Sequence, residues 1–239
     1  MSVETAIKEQ IKPVKAMILA AGRGNRLRPL TDTVPKPLVP VCGKPLIEYH
    51  IEKLAAVGVT DIVINHAWLG QVIENTLGNG ERWNLKIQYS AEPDGGLETA
   101  GGIINALPLL GDQPFILING DVYTDLPFEP LVAQAQSMQT QPNIQAYLTL
   151  VPSPEHNLSG DFGLTDSSKV TEQGAHTFAG ISVLNPALFA NMKVGFIPLA
   201  PILRQAMQRQ YATGVLFKGF WSDVGTLERL QQTEHARCP

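Results

Sequence analysis

The chain has 239 residues, 44% of them hydrophobic and 17% charged, so it is long enough to bury a sizeable core. Its net charge of −4 argues against a nucleic-acid partner, and no apolar run approaches the length of a membrane span. Cys42 and Cys238 lie outside any C-x-x-C motif, which predicts neither a disulfide framework nor a zinc site and favours a cytoplasmic location.

The first half of the chain alternates short β-rich runs with helical patterns. Residues 1–14 are interpreted as a polar N-terminal extension, since acids and lysines are interleaved there without a hydrophobic signal segment. The alternation that follows predicts βαβ units and a mainly parallel sheet. The predicted strands are 15–20, 60–67, 85–90 and 114–120. The predicted helices are 44–58, 68–78 and 99–110.

The second half is less regular and richer in short strands. No linker rich in Pro, Gly or Ser separates the halves, so residues 15–239 are predicted to form a single domain. The predicted strands are 143–151, 161–166, 168–173 and 176–184, followed by a hairpin over 214–225 that turns near Lys218. The predicted helices are 186–192, 199–209 and 226–237.

A glycine- and arginine-rich loop follows the first predicted strand. Loops after parallel strands open at the carboxyl edge of the sheet, where ligands bind in such folds. Gly22 and Gly24 let backbone amides approach an anion, and Arg23, Arg26 and Arg28 offer donors suited to phosphate oxygens. A polyphosphate is the predicted ligand, and a surface loop with solvated arginines is the alternative.

Two familiar phosphate-binding motifs are excluded. Leu27 breaks the dinucleotide pattern G-x-G-x-x-G, and G-x-x-x-x-G-K-[ST] does not occur. Lys36 lies between two prolines, which restrict its backbone and favour a fixed direction for its charge. Near the arginine loop, such a lysine is a candidate for stabilising a phosphate group, although by itself it is more typical of an exposed loop lysine.

Two aspartates in distant segments are candidate metal ligands. Asp121 directly follows a buried strand, and Asp223 lies between a predicted strand and a predicted helix. Mg²⁺ commonly uses one or two carboxylates together with substrate phosphates, so convergence of these residues predicts a magnesium site. The alternatives are a turn aspartate at Asp121, competition from Asp125, and a helix cap at Asp223.

A second glycine-rich loop precedes the helix predicted over 99–110. Gly95 and Gly96 permit close approach of the backbone to a flat ring, and Glu98 and Thr99 are placed to contact a nucleotide base. A flexible loop that caps a helix is the alternative. The histidines show no metal-ligand spacing and no serine lies in G-x-S-x-G, so hydrolase chemistry has no candidate group.

The segment MILAAGRGNRLRPLTDTVPKPLVPVCGKPLIEY resembles the signature of the sugar-phosphate nucleotidyltransferases. GLETAGGI, NGDVYTD, FAGISVL and WSDVGT follow in that family's order, and the similarity spans residues 15–235. The resemblance implies an α/β, Rossmann-like three-layer fold with a mixed, mainly parallel central sheet. A smaller β-rich portion would bind the sugar.

The resemblance also implies roles for individual residues. The nucleotide would contact Gly22, Gly24, Asn25, Arg26, Lys36, Gly96 and Asn119. Catalysis would use Arg26, Lys36 and Asp121, and Mg²⁺ would bind Asp121 and Asp223. The candidate sugar contacts are Asp161, Gly163, Glu172 and Gly180, and Glu98 is a further candidate substrate contact. This chain departs from many relatives at Asn25 and Phe178, where they carry Thr or Ser and Asn respectively.

The implied reaction is nucleotidyl transfer from a nucleoside triphosphate to a sugar 1-phosphate. VINHAWLGQ, GLETAGG and NGDVYTD are most similar to members that use UTP and N-acetylmuramic acid 1-phosphate in cell-wall recycling. The alternatives are guanylyl transfer to mannose 1-phosphate and thymidylyl or uridylyl transfer to glucose 1-phosphate. An inactive sugar-nucleotide-binding regulator is a further alternative, disfavoured because Arg26, Lys36, Asp121 and Asp223 are all present. The sequence does not indicate the oligomeric state.

Overall fold

A computed structural model describes residues 11–238 and is built around a mixed sheet of eight strands. The strands are β1 (Ala16–Leu19), β2 (Pro40–Val41), β3 (Lys44–Pro45), β4 (Asp61–His66), β5 (Lys86–Ala91), β6 (Phe115–Asn119), β7 (Val122–Thr124), β8 (Ala146–Pro152), β9 (Phe162–Leu164), β10 (Val170–Leu184), β11 (Ala212–Leu216) and β12 (Trp221–Asp223). The α-helices are α1 (Leu46–Ala56), α2 (Gly70–Leu77), α3 (Glu98–Leu110), α4 (Glu129–Met138), α5 (Leu199–Gln208) and α6 (Leu227–Arg237). None of these helices is long and apolar enough to cross a membrane.

The order of strands in the main sheet is β11-β8-β10-β6-β1-β4-β5, with β9 paired to β10. Strands β6, β1, β4 and β5 are parallel neighbours, as are β8 and β11, whereas β10 is antiparallel to β6, β8 and β9. The predicted mixed, mainly parallel sheet is therefore confirmed. Two small antiparallel sheets, β2–β3 and β7–β12, lie outside it.

Helices cover both faces of the main sheet, which gives the predicted three layers. In β1, Ala16 and Ile18 pack in one apolar cluster with residues of α1, α2 and α4. Met17, which points to the opposite face, packs in a second cluster with residues of α3 and α5. A strand buried on both faces must be apolar throughout, which explains the continuous hydrophobic run that starts the domain.

The topology places the carboxyl ends of β1 and β6 side by side. Leu19 lies opposite Asn119 in the parallel register, and Gly120 N donates to Leu19 O at 2.9 Å. β4, the next strand of the main sheet in sequence, pairs with one edge of β1, and β6 pairs with the opposite edge of β1. Such a reversal of strand order opens a crevice outside the carboxyl ends of the strands, where a ligand binds.

Several expectations from the sequence need correction. The hairpin predicted over 214–225 does not form, because β11 pairs with β8 while β12 pairs with β7. Helix α4 was not predicted. Cys42 and Cys238 form a disulfide with a Cα–Cα distance of 5.3 Å, so the prediction of no disulfide is wrong. The pairing escaped prediction because these cysteines are 196 residues apart in sequence.

The predicted N-terminal extension lies largely outside the described residues, which begin at position 11. Val14, at its end, is only 5% exposed and belongs to the apolar core. Lys12 N donates to Gln139 Oε1 at 2.9 Å, and Lys12 Nζ lies 3.3 Å from Asp112 Oδ1. The last residues of the extension are therefore part of the folded structure.

Candidate active site

A cavity of about 490 Å³ opens at the carboxyl ends of the parallel strands. Its walls come from the loop after β1, the loop before α3 and the end of β6, which are distant in sequence. All of the residues that the sequence analysis assigns to the nucleotide line this cavity, together with Glu98 and Asp121: Gly22, Gly24, Asn25, Arg26, Lys36, Gly96 and Asn119.

The loop after β1 is held in a tight conformation at Gly24. This glycine adopts φ of +70°, a region that residues with a side chain rarely enter. A Cβ atom there would lie 3.0 Å from Thr31 Cγ2 and 3.1 Å from Lys36 Cβ. Thr31 Oγ1 donates to Gly24 O at 2.8 Å. The glycine thus lets the loop pack directly against the segment that carries Lys36.

The three arginines of the loop do not act together. The Arg23 guanidinium stacks over the Trp68 ring at 4.1 Å, and Arg28 Nε pairs with Asp32 Oδ1 at 2.6 Å. Of the three, Arg26 lines the cavity. The expectation that all three donate to one anion is therefore corrected, since two of them have partners outside the cavity.

Lys36 reaches across the cavity to Asp121. Its side chain is 13% exposed, and Nζ forms an ion pair and hydrogen bond with Asp121 Oδ2. Lys36 begins a short 3-10 turn, Lys36–Leu38, whose buried Pro37 and Leu38 anchor it. The proline-rich segment therefore fixes the backbone from which the ammonium group extends, as its sequence predicts.

Asp223 lies beside Asp121 because β7 and β12 pair. Asp223 is opposite Val122 in the antiparallel register, and Val224 N donates to Asp121 O at 2.8 Å. Asp223 Oδ2 lies 3.2 Å from Arg229 Nη2. Asp223 Oδ1 lies 3.2 Å from His156 Nε2, but without hydrogen-bond geometry, so this buried oxygen has no hydrogen-bond partner among the described residues.

A second cavity, of about 320 Å³, adjoins the first and shares Asn119 and Asp121 with it. Asp161, Gly180 and Asp223 also line the second cavity. Gly180 adopts φ of +72°, and a Cβ atom there would lie 2.6 Å from Asn119 Nδ2. Because Gly180 has no side chain, Asn119 can occupy its position at the junction of the two cavities.

Asp161 is already engaged by the fold. Its Oδ2 accepts from Phe178 N at 2.9 Å, and its Oδ1 accepts from Asn157 Nδ2 at 3.1 Å. It therefore shapes the wall of the second cavity next to the irregular register of β10. Gly163 and Glu172 line neither cavity, and a Cβ atom at Gly163 would lie 2.5 Å from Gln173 O. The structure does not bring these last two residues to the site.

Sequence reasoning missed a hydrogen-bonded pair of side chains, Asn65 and Glu92, in the wall of the first cavity. Asn65 Oδ1 accepts from Ala20 N at 2.9 Å, and Asn65 Nδ2 donates to Glu92 Oε1 at 2.6 Å. Glu92 Oε2 in turn accepts from Leu97 N at 2.8 Å. Both side chains lie at the ends of parallel strands, a signal that could have found them. His156 and Arg229 were also missed, and they lie far in sequence from Asp121.

Comparisons with known proteins agree with this architecture. The nucleotidyl transferase family matches residues 15–178. N-acetylmuramate alpha-1-phosphate uridylyltransferase from Neisseria meningitidis is 50% identical over 226 residues, which cover 92% of this chain and 97% of that protein. Mannose-1-phosphate guanyltransferase from Hypocrea jecorina is 34% identical over 229 residues, covering 89% of this chain and 61% of that protein.

A solved structure supports the fold. A Bacillus anthracis protein described as a glucose-1-phosphate thymidylyltransferase, in complex with sucrose, superposes with a TM-score of 0.82. The superposition covers 93% of this chain and 94% of that chain at 23% identity. The matched family covers most of the chain, including the loop after β1, Lys36 and Asp121. This chain belongs to the nucleotidyl transferase family.

Proposed function

We propose that this protein transfers the uridylyl group of UTP to N-acetylmuramic acid 1-phosphate, giving the UDP-sugar and pyrophosphate. The observation that carries the proposal is the meeting of two cavities at Asn119 and Asp121. One cavity would hold the nucleotide and the other the sugar phosphate, so their reacting phosphates would meet at the shared wall. The uridylyltransferase from Neisseria meningitidis, half identical along nearly its whole length, supports this choice of substrates.

The chemistry is a displacement at phosphorus. An oxygen of the sugar 1-phosphate forms a bond to the α-phosphorus of UTP. The bond from that phosphorus to the oxygen bridging the α- and β-phosphates breaks, and pyrophosphate leaves with that oxygen and its electron pair. Because the attacking oxygen is already anionic, no general base is required. The protein then contributes alignment and charge neutralisation.

The residues around the first cavity have matching roles in the proposal. Gly22 and Gly24 let backbone amides approach the phosphates, and Asn25 lies beside them in the same loop. Arg26 and Lys36 offset the negative charge of the triphosphate and of the departing pyrophosphate. Gly96 and Glu98, at the start of α3, are assigned to the nucleoside end of the cavity.

Asp121 and Asp223 are proposed to bind Mg²⁺. Carboxylate oxygens suit this ion, and Asp223 Oδ1 is a buried oxygen without a hydrogen-bond partner among residues 11–238. When bound, the ion supplies charge neutralisation at the reacting phosphates.

The proposed setting is the cytoplasm, where UTP is available and where Cys42 and Cys238 would be kept reduced, in the recycling of cell-wall sugars. The test is pyrophosphate release from purified protein across UTP, GTP, dTTP and ATP, each with N-acetylmuramic acid 1-phosphate, mannose 1-phosphate and glucose 1-phosphate. We expect the highest kcat/KM for UTP with N-acetylmuramic acid 1-phosphate. A preference for GTP with mannose 1-phosphate would contradict the proposed substrates. Binding without turnover would contradict an enzymatic function.

A further inference from the structure

Arg229 is a buried cation next to one of the proposed metal ligands. It lies in the first turn of α6, where its backbone N donates to Thr226 Oγ1 at 3.2 Å. Its side chain is 14% exposed, and Nη2 lies 3.2 Å from Asp223 Oδ2. Nε and Nη2 are buried without a hydrogen bond among the described residues, so the ion pair with Asp223 is what offsets the burial of this charge.

The guanidinium reaches Asp223 because the residue at position 225 has no side chain. A Cβ atom at Gly225 would lie 2.2 Å from Arg229 Nη2 and 3.3 Å from Arg26 Nη2. Gly225 also lines the first cavity. Arg229 therefore lies close to the wall of the proposed active site without lining either cavity, whereas Arg26 lines the first cavity.

We propose that Arg229 is a positioning residue that orients Asp223 for metal binding. Its cation engages Oδ2, so the ion would bind through Oδ1, a buried oxygen that lies 3.2 Å from His156 Nε2 and makes no hydrogen bond among the described residues. The inference rests on the proposed function, which assigns Asp223 to Mg²⁺.

Partners that orient a metal ligand strongly affect metal binding. Their loss typically costs 10–100-fold in metal affinity or activity, and we expect a loss of about this size for Arg229→Met. Arg229→Lys keeps the charge and should recover part of the affinity. Gly225→Ala should also weaken metal binding, because its methyl group displaces the flexible end of Arg229 while the charge is retained.

The test measures metal binding rather than turnover. Mn²⁺ is titrated into protein saturated with UTP, without a sugar acceptor, and water-proton relaxation separates protein-bound from free Mn²⁺–UTP. The control is Arg237→Met, on the same helix, where Arg237 pairs with Asp125 and lines neither cavity. We expect the wild-type protein and the control to bind Mn²⁺ alike and Arg229→Met to bind it about 10–100-fold more weakly.

The outcomes distinguish this inference from the proposed function. Mn²⁺ affinity equal to wild type in both Arg229→Met and Gly225→Ala would overturn the role of Arg229 and leave the metal site intact. Absence of protein-bound Mn²⁺ in the wild type would overturn the metal site and this inference together. Melting temperatures of the metal-free variants provide a second readout. A purely structural role would lower the melting temperature of Arg229→Met without changing the Mn²⁺ affinity of the folded protein, and this result would also overturn the inference.

Discussion

Lys36 and Asp121 form an ion pair across 85 residues of sequence, and this contact joins the loop after β1 to the end of β6. Both side chains line the first cavity, and Asp121 also lines the second. In the described chain the pair thus connects the proposed phosphate-binding lysine with the proposed metal ligand. A bound triphosphate would present anionic oxygens to Lys36 close to Asp121, the carboxylate that Lys36 contacts in this structure.

Removing the Lys36 ammonium should strongly reduce turnover. Deleting one group that stabilises developing charge in a preorganised site typically costs about 10²–10³ in kcat, and we expect this loss for Lys36→Ala. The measurement is steady-state pyrophosphate release. Lys86→Ala, which removes an exposed lysine at the start of β5, is the control and should keep the wild-type rate. Wild-type turnover in Lys36→Ala would exclude a catalytic role for this lysine.

The sequence indicated which residues lie in the candidate site better than it indicated which side chains those residues contact. The glycine-rich loop, Lys36 and Asp121 each follow a strand or a proline-rich turn, and local pattern is enough to place them at the carboxyl edge of a parallel sheet. Arg23 and Arg28 were misassigned because their partners, Trp68 and Asp32, are chosen by packing. The charge of a loop arginine does not by itself determine which anion or aromatic ring its side chain contacts.

The second half of the fold was harder to predict because its pairing is long-range. β12 was predicted to be the second strand of a hairpin, yet it pairs with β7 rather than with β11. That pairing brings Asp223 next to Asp121, so the proposed metal site depends on a contact without a local sequence signal. The three-layer arrangement was predictable, since strands that are apolar on both faces require helices on each side.

Gly180→Ala should disturb the junction of the two cavities. The added methyl group would lie 2.6 Å from Asn119 Nδ2, and alanine would be strained at φ of +72°. A displacement of about 1 Å in a positioning group can cost on the order of 10² in rate, and we expect a loss of that order in kcat/KM. The measurement is pyrophosphate release combined with a denaturation curve, which separates catalytic from structural effects.

The matched control for Gly180→Ala is Gly58→Ala. Gly58 adopts φ of +80°, but a methyl group added there would have no atom within 4 Å beyond its own chain neighbours, so this variant carries the same backbone strain without the clash. Gly58→Ala should lose about 1–2 kcal/mol in the free energy of unfolding through backbone strain. Gly180→Ala should lose about 1–3 kcal/mol more because of the close contact with Asn119. Only Gly180→Ala should lose activity. A similar loss of activity in both variants would show that backbone strain, rather than the contact with Asn119, is responsible.

The disulfide between Cys42 and Cys238 should make stability depend on redox conditions. It joins the turn between β2 and β3 to the end of α6, and so restricts nearly the whole unfolded chain. Reduction should lower the free energy of unfolding by about 2–4 kcal/mol. Urea denaturation with and without a phosphine reductant measures this difference. Cys238→Ser should match the reduced wild type and show no response to reductant; a response in that variant would contradict the assignment.

His50 should make the protein sensitive to mild acid. Burial lowers the pKa of this fully enclosed histidine from 6.5 to about 4, and its ring stacks on Phe128 with centroids 6.2 Å apart. Between these values the unfolded chain binds a proton that the folded protein does not. The stability contributed by neutral His50 is therefore present above pH 6.5 and is lost as the pH falls toward 4.

The expected loss between pH 7 and pH 5 is about 2 kcal/mol in the free energy of unfolding. Urea denaturation at the two pH values measures it. His50→Leu should remove this part of the pH dependence, since it fills a similar volume without a titrating ring. His235→Leu, which removes an exposed histidine of α6, should retain the loss. An unchanged pH dependence in His50→Leu would show that another group causes the acid sensitivity, because no proton could then bind at position 50.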